Sequence, residues 1–315
     1  MRKGWKWFWG IVIGAPVLIF TIWALWDNER LFLVTLLNGL TLASLYFIVA
    51  AGFTLVFGLM RNVNLAHGSL YLFGGYLGFF TAQYTGSSLL ALVVGFGVAA
   101  LAGLLMQVSI FRFMQGQDLR QTMVTIGLSI VIADLLMWAI GAQVHQLEPP
   151  EWLNGPIRGI PIIKAYSAYR LALIPIGVAI GVALWLFLNR TRVGMMIRAG
   201  VDDRGMLSAS GVNVNLVFAT TFAIGAGLAG LGGVIGSVEL SMAPGEDTRL
   251  LLASLIVVIV GGMGSVVGAA VGAVILGVAE TYGLAYAPTY SVVFTFVILV
   301  LVLAFRPRGI LGRPA

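Results

Sequence analysis

Long apolar runs separated by short polar joints fill almost the whole chain. A helix rises 1.5 Å per residue, so about 20 consecutive apolar residues cross the hydrocarbon layer of a bilayer. Ten segments meet or approach that length: Phe8–Trp26, Leu33–Leu59, Leu65–Gln83, Leu89–Phe111, Thr122–Gly141, Leu171–Leu188, Leu216–Val238, Leu250–Gly262, Val266–Tyr282 and Tyr290–Phe305. The pattern predicts an all-α polytopic membrane protein of about ten transmembrane helices, forming a single transmembrane domain over residues 1–315.

Composition agrees. Hydrophobic residues make up 60% of the chain and charged residues 10%, against about 25% charged in a soluble domain. No stretch has soluble composition, which excludes an attached soluble domain. The first run follows Arg2, Lys3 and Lys6, as in a signal peptide, but it is longer than an h-region. Asp27-Asn28-Glu29-Arg30 follows it in place of a small-x-small cleavage site. It is expected to remain as an uncleaved span. Cysteine is absent, so there is no disulfide framework, thiolate metal site or cysteine nucleophile. The net charge of +6 does not indicate nucleic acid, because the basic residues sit between spans and not on one face.

Charge sets the orientation. With a cytoplasmic N-terminus, thirteen of the 18 basic residues fall in inside segments: Arg2, Lys3, Lys6, Arg61, Arg112, Arg120, Arg190, Arg192, Arg198, Arg204, Arg306, Arg308 and Arg313. Arg30, Arg158, Lys164, Arg170 and Arg249 fall outside. The excess puts both termini in the cytoplasm. Leu250–Gly262 spans only about 20 Å as a helix. If it dipped in and returned, the C-terminal arginines would lie outside, so it is read as a crossing completed by non-helical backbone around Gly261, Gly262 and Gly264. Such backbone is tolerated where it is buried in protein or lines a cavity. Ten spans with both ends inside permit a five-plus-five inverted repeat that pairs the third span with the eighth. The third carries Gly68, Gly74, Gly75 and Gly78; these glycines either mark a translocation site or allow tight helix contact. Gly264, Gly268 and Gly272, every fourth residue, form the small-xxx-small pattern of close-packed membrane helices.

Few residues inside the spans carry chemistry. Asp134 lies mid-span, where a carboxylate costs roughly 2.5–3.5 kcal/mol on insertion scales. It must make a structural hydrogen bond, line a path or meet a partner subunit. Glu280, near an outer end, can reach the interface. His67 follows Asn64-Leu65-Ala66 and is read as a helix-end or loop hydrogen-bonder more readily than as a proton relay. His145 is the other histidine, so a histidine metal site is not expected. No Gly-x-x-x-x-Gly-Lys-Ser/Thr loop occurs. The chain is expected to bind no cofactor and to leave any ATP to partner subunits.

The longest inside connection, residues 189–215, is a cytoplasmic loop. Asp202 or Asp203 can cap a short helix there and Gly211 can end it, with Met206, Leu207 and Ser210 on one face. That edge suits a groove on a partner, or alternatively the membrane surface. The extracytoplasmic loop 142–169 contains Pro149, Pro150, Pro156 and Pro161 and can sit beneath a binding protein or simply cap the bundle.

Asn38-Gly39-Leu40, Gly58-Leu59-Met60, Asn64-Leu65-Ala66-His67-Gly68, Thr125-Ile126-Gly127-Leu128-Ser129, Arg190-Thr191-Arg192-Val193-Gly194, Ala209-Ser210-Gly211-Val212-Asn213, Val260-Gly261-Gly262-Met263-Gly264-Ser265 and Arg306-Pro307-Arg308-Gly309-Ile310 occur in this order. In them the chain resembles, over nearly its full length, the permease subunits of branched-chain amino acid ABC importers, the H-type more than the M-type. The resemblance implies a multi-pass protein of a bacterial inner membrane. It also implies a heterodimer with a second permease, two cytoplasmic ATPase subunits and an extracytoplasmic substrate-binding protein. Within it Asp202–Gly211 is the coupling helix, with Gly205 a departure that weakens it. Asn38, Asn64, His67, Asp134, Gly261 and Gly262 are the substrate-path candidates. The family also serves urea, amides and aromatic acids. The expected mechanism is alternating access driven by ATP closing the partner subunits. The rival reading is a stand-alone ion-coupled secondary transporter or channel with Asp134 as its titratable group. A membrane-embedded enzyme would need a catalytic cluster, and the sequence shows none.

Overall fold

The computed structural model describes residues 2–60, 64–114, 116–160 and 162–312, with side chains described from residue 19 onward except at 59, 60 and 292. Arg61, Asn62, Val63, Pro161 and Arg313 lie outside the described residues, as do the side chains of Arg2, Lys3 and Lys6. The chain is an all-α polytopic membrane protein: among the described residues six helices are long and apolar enough to cross a membrane.

The first two predicted runs form one element, α1 (Arg2–Met60), broken at Asn28, whose φ of −155° and ψ of 88° are non-helical. The Asn28 side chain accepts the Leu31 N–H at 2.9 Å and so caps the second arm. Phe20 and Phe32 lie on either side of the break, yet both pack on Tyr282, with centroids 5.9 and 5.3 Å away. A straight helix would hold them about 18 Å apart, so the break folds the two arms toward each other.

The other helices are α2 (His67–Thr85), α3 (Ser88–Ser109), α4 (Asp118–Ile140), α5 (Ala168–Arg190), α6 (Arg192–Asp202), α7 (Arg204–Ala209), α8 (Val214–Glu239), α9 (Glu246–Gly261), α10 (Val266–Tyr286) and α11 (Ser291–Phe305). Side chains of Ser87, Ser167, Thr191, Asp203, Asn213 and Ser265 cap α3, α5, α6, α7, α8 and α10. Two short strands, β1 (Pro156–Arg158) and β2 (Ala165–Ser167), form an antiparallel hairpin in the loop before α5. His145 in that loop bridges Met242, which fastens the loop to the α8–α9 connection. This defines a hairpin end of the bundle; α6 and α7 lie at the other.

The core forms where α8 and the second arm of α1 cross, flanked by α2, α3 and α10. Small residues set the spacing. Gly52 faces the Gly225 carbonyl, Gly230 the Gly95 carbonyl and Gly233 the Tyr71 carbonyl, each too close for a β-carbon. The predicted Gly268 and Gly272 stripe seats α10 on the backbone of α9, and Gly277 seats it on α1. These are backbone approaches of the small-xxx-small kind.

α9 differs from its sequence reading. It begins at Glu246, four residues before the apolar run, and so includes Glu246, Asp247, Thr248 and Arg249. Arg249 therefore belongs to a helix of the bundle and not to a loop outside it. Hydropathy cannot place a helix start built of charged residues whose partners lie elsewhere in the chain.

Candidate functional site in the interior of the bundle

Three polar clusters lie among the apolar helices. At the hairpin end, Tyr166 Oη donates to Asn38 Oδ1 at 2.8 Å, and Arg170 Nη1 reaches the same oxygen at 3.4 Å. Thr41 Oγ1 donates to the Arg170 carbonyl at 3.0 Å. Arg170 makes a forked pair with Glu239, at 3.0 Å from Nη2 and 3.1 Å from Nε, the strong two-bond geometry of guanidinium and carboxylate. One knot thus joins α1, β2, α5 and α8. Burial pushes the Tyr166 phenol above its ordinary pKa, against the Thr41 hydrogen bond and the Arg170 charge, so it stays protonated and able to donate. Tyr166→Phe is expected to cost about 1 kcal/mol, the net worth of one such bond, read as a lowered unfolding midpoint.

The second cluster lies deeper. Tyr46 Oη on α1 donates to Glu280 Oε2 on α10 at 2.7 Å. Arg249 Nη2 lies 3.4 Å from Glu280 Oε1, and Arg249 Nη1 lies 3.3 Å from Glu246 Oε2. One guanidinium bridges two carboxylates, and 45% of the Arg249 side chain is exposed. Twelve residues separate Arg249 from the α9 end at Gly261, about 18 Å along the helix.

The third cluster is a junction of two helix starts. His67 is fully buried and its Nε2 lies 3.0 Å from the Val49 carbonyl. Val49 precedes the end of α1 at Met60 by eleven residues, about 16 Å. α2 therefore begins deep in the bundle. Gly68 packs directly on the Asp247 backbone, so α9 begins at the same depth. Neither start has a side-chain cap. Asn64 Oδ1 accepts the Ala66 N–H at 3.1 Å. Asn64 Nδ2 and His67 Nδ1 are buried without a hydrogen-bond partner among the described residues. Ser69 on α2 meets Ser129 Oγ on α4 at 2.9 Å and donates to Asp247 Oδ2 at 3.4 Å.

The structure thus brings Asn64 and His67 together and sets Asn38 in the hairpin-end knot. Asp134 stands apart, exposed on α4. Gly261 and Gly262 close the opposite end. The Gly261 carbonyl accepts the Leu311 N–H at 2.9 Å, and Gly262, with φ of 113°, packs on Gly312.

In the 189–215 loop Asp203 is the cap, its Oδ1 accepting the Met206 N–H at 3.0 Å, while Asp202 ends α6. Gly211 follows α7 with φ of 79°. Met206 is 68% exposed and Leu207 only 6%. This corrects the expected shared face: Leu207 turns into the core, whereas Met206 and Ser210 stay outside, with Ser210 Oγ donating to the Met206 carbonyl at 2.9 Å. Arg204 lies 4.9 Å over the Phe218 ring and ties α7 to α8.

The sequence reading missed Tyr46, Ser69, Ser129, Tyr166, Arg170, Glu239, Glu246, Asp247 and Arg249. The one local signal is the i,i+3 pair Glu246 and Arg249 beside an unusually short apolar run, which marks a helix start.

The family model described as "Branched-chain amino acid transport system / permease component" matches residues 35–303. The high-affinity branched-chain amino acid transport system permease protein BraD of Pseudomonas aeruginosa is 32% identical over 298 residues, covering 90% of this chain and 96% of that protein. LivH of Escherichia coli K12, of the same description, is 30% identical over 306 residues with the same coverage. The fructose import permease protein FrcC of Rhizobium meliloti is 27% identical over 246 residues, covering 73% of this chain and 65% of its own length. No solved structure matches. The chain belongs to the branched-chain amino acid permease family of ABC importers, a transport component and not an enzyme.

Proposed function

We propose that this permease forms one half of the path by which an ATP-driven importer carries branched-chain amino acids across a bacterial inner membrane. A second permease supplies the other half, two cytoplasmic ATPase subunits bind the ATP, and an extracytoplasmic protein delivers cargo to the hairpin end. The chain itself holds no cofactor. The observation that carries the reading is Arg249. A guanidinium nearly half exposed so deep among apolar helices does not face hydrocarbon, so it borders water or a partner chain.

Packing supports ten spans in a five-plus-five inverted repeat with both termini cytoplasmic. The second arm of α1 lies on α10 as α8 lies on α3; α2 packs on α8 as α9 packs on α1. The mates α2 and α9 meet at their starts. Discontinuous helices meeting mid-bundle at a repeat interface are a common feature of transport sites. α4 and α11 are mates as well, but α11 is apolar except for Ser291 and Thr295, whereas α4 exposes Asp134. Lipid suits the first; the second permease covers the second. α7 presents Met206 to the ATPases.

The test is reconstitution. Uptake by proteoliposomes holding this chain, its permease partner, the ATPases and the loaded binding protein should require ATP. Uptake by this polypeptide alone would defeat the reading.

A further inference from the structure

We infer that Arg249, Glu246, Glu280 and Tyr46 form a subsite for the paired charges of a free α-amino acid, with Arg249 taking the α-carboxylate and the two glutamates the α-ammonium. The inference rests on the importer reading above and names the chemistry of its path.

A zwitterion carries both charges on one carbon. A site for it needs a cation and an anion within one side-chain length of each other, and both must stay reachable. The Arg249 cluster meets this need in the interior of the bundle. Its ion pairs are single-nitrogen contacts, at 3.3 Å to Glu246 and 3.4 Å to Glu280. The Arg170–Glu239 fork, by contrast, commits two donors, Nη2 and Nε, to one carboxylate at 3.0 and 3.1 Å, with Nη1 toward Asn38. Arg249 gives one nitrogen to each glutamate, which leaves further N–H groups of its fork for a carboxylate. One guanidinium against two carboxylates leaves a negative charge over, and an ammonium can pair with it. The Tyr46 hydroxyl holds Glu280 in place through its 2.7 Å hydrogen bond. Glu280 and Glu246 are 17% and 24% exposed, on the same side as the exposed guanidinium that touches both. A path for urea or a simple amide has no use for such opposed charges at the start of a discontinuous helix, where each costs desolvation.

The test uses the assembled importer in lipid nanodiscs without binding protein, with thermal unfolding followed in millimolar leucine, leucinamide or 4-methylpentanoate. Leucine should raise the unfolding midpoint. Leucinamide, which lacks the carboxylate, and 4-methylpentanoate, which lacks the ammonium, should not. Arg249→Gln and Glu280→Gln should each abolish the leucine response. Arg249→Lys keeps the charge without the fork and serves if Arg249→Gln fails to fold; it should weaken the response about tenfold in leucine concentration. A leucine response unchanged in Arg249→Gln or Arg249→Lys overturns the proposal, as does an equal response to leucinamide. ATP-driven uptake that is normal in Arg249→Gln also overturns it, while leaving the importer reading intact. Uptake that needs no ATPase overturns the importer reading itself.

Discussion

Met206→Glu is expected to abolish ATP-driven uptake while leaving the permease folded in the membrane. Met206 is 68% exposed on α7, and its neighbour Leu207 is buried. The substitution therefore adds a charge to the presented side of the helix without disturbing the contacts that anchor it. Asp203 still caps α7 through the Met206 backbone N–H, which the substitution retains. If α7 is the handle gripped by the ATPases, a buried unpaired carboxylate in that groove costs about 2–4 kcal/mol, the scale of an interface hot spot. At a factor of ten per 1.4 kcal/mol, association weakens roughly 30- to 700-fold. Copurification of the ATPases and uptake should fall together, with the unfolding midpoint of the isolated permease unchanged. Leu207→Glu should fail differently, by lowering that midpoint, because its side chain belongs to the core. Normal uptake by Met206→Glu would remove α7 as the contact.

Gly233→Val is expected to have the largest effect on folding. A β-carbon at Gly233 meets the Tyr71 carbonyl oxygen, with Gly75 N at 2.8 Å and Gly75 Cα at 3.0 Å behind it. All three are backbone atoms of α2, so no rotamer change relieves the overlap and α8 must move away from α2. The cost is about 3 kcal/mol, the upper end for overpacking. It should be read as a lost or strongly lowered unfolding transition and poor accumulation in membranes. Gly97→Val and Gly127→Val are the controls. Both glycines lie in helices with nothing within 4 Å of an added β-carbon, and both variants should unfold close to the parent.

The membrane class was legible in the chain because hydropathy measures transfer from water to hydrocarbon, the same free energy that fixes the spans. Legibility failed where polar residues begin a helix. Glu246 to Arg249 look like a loop because each alone favours water, but in the fold Arg249 meets Glu280 on α10 and Asp247 meets Ser69 on α2. Glu280 was visible as an acid near a span end, but not its hydrogen bond to a tyrosine 234 positions away. His67 and Asn64 were visible as polar residues beside a span. That α2 starts deep in the bundle follows from Gly68 lying against the α9 backbone, a contact between distant parts of the chain.

The sequence by itself determined the solvent in which this protein folds, the approximate set of its helices, the absence of a nucleotide loop and a short helix within residues 202–211 that Asp202 or Asp203 could cap. Each of these depends on local composition or on the spacing of neighbours. Tertiary structure alone decided that Leu207 packs inward while Met206 faces out. It also decided which glycines touch backbone and that Arg249 bridges two carboxylates in the interior. These properties depend on what packs opposite a residue, and hydropathy carries no information about partners.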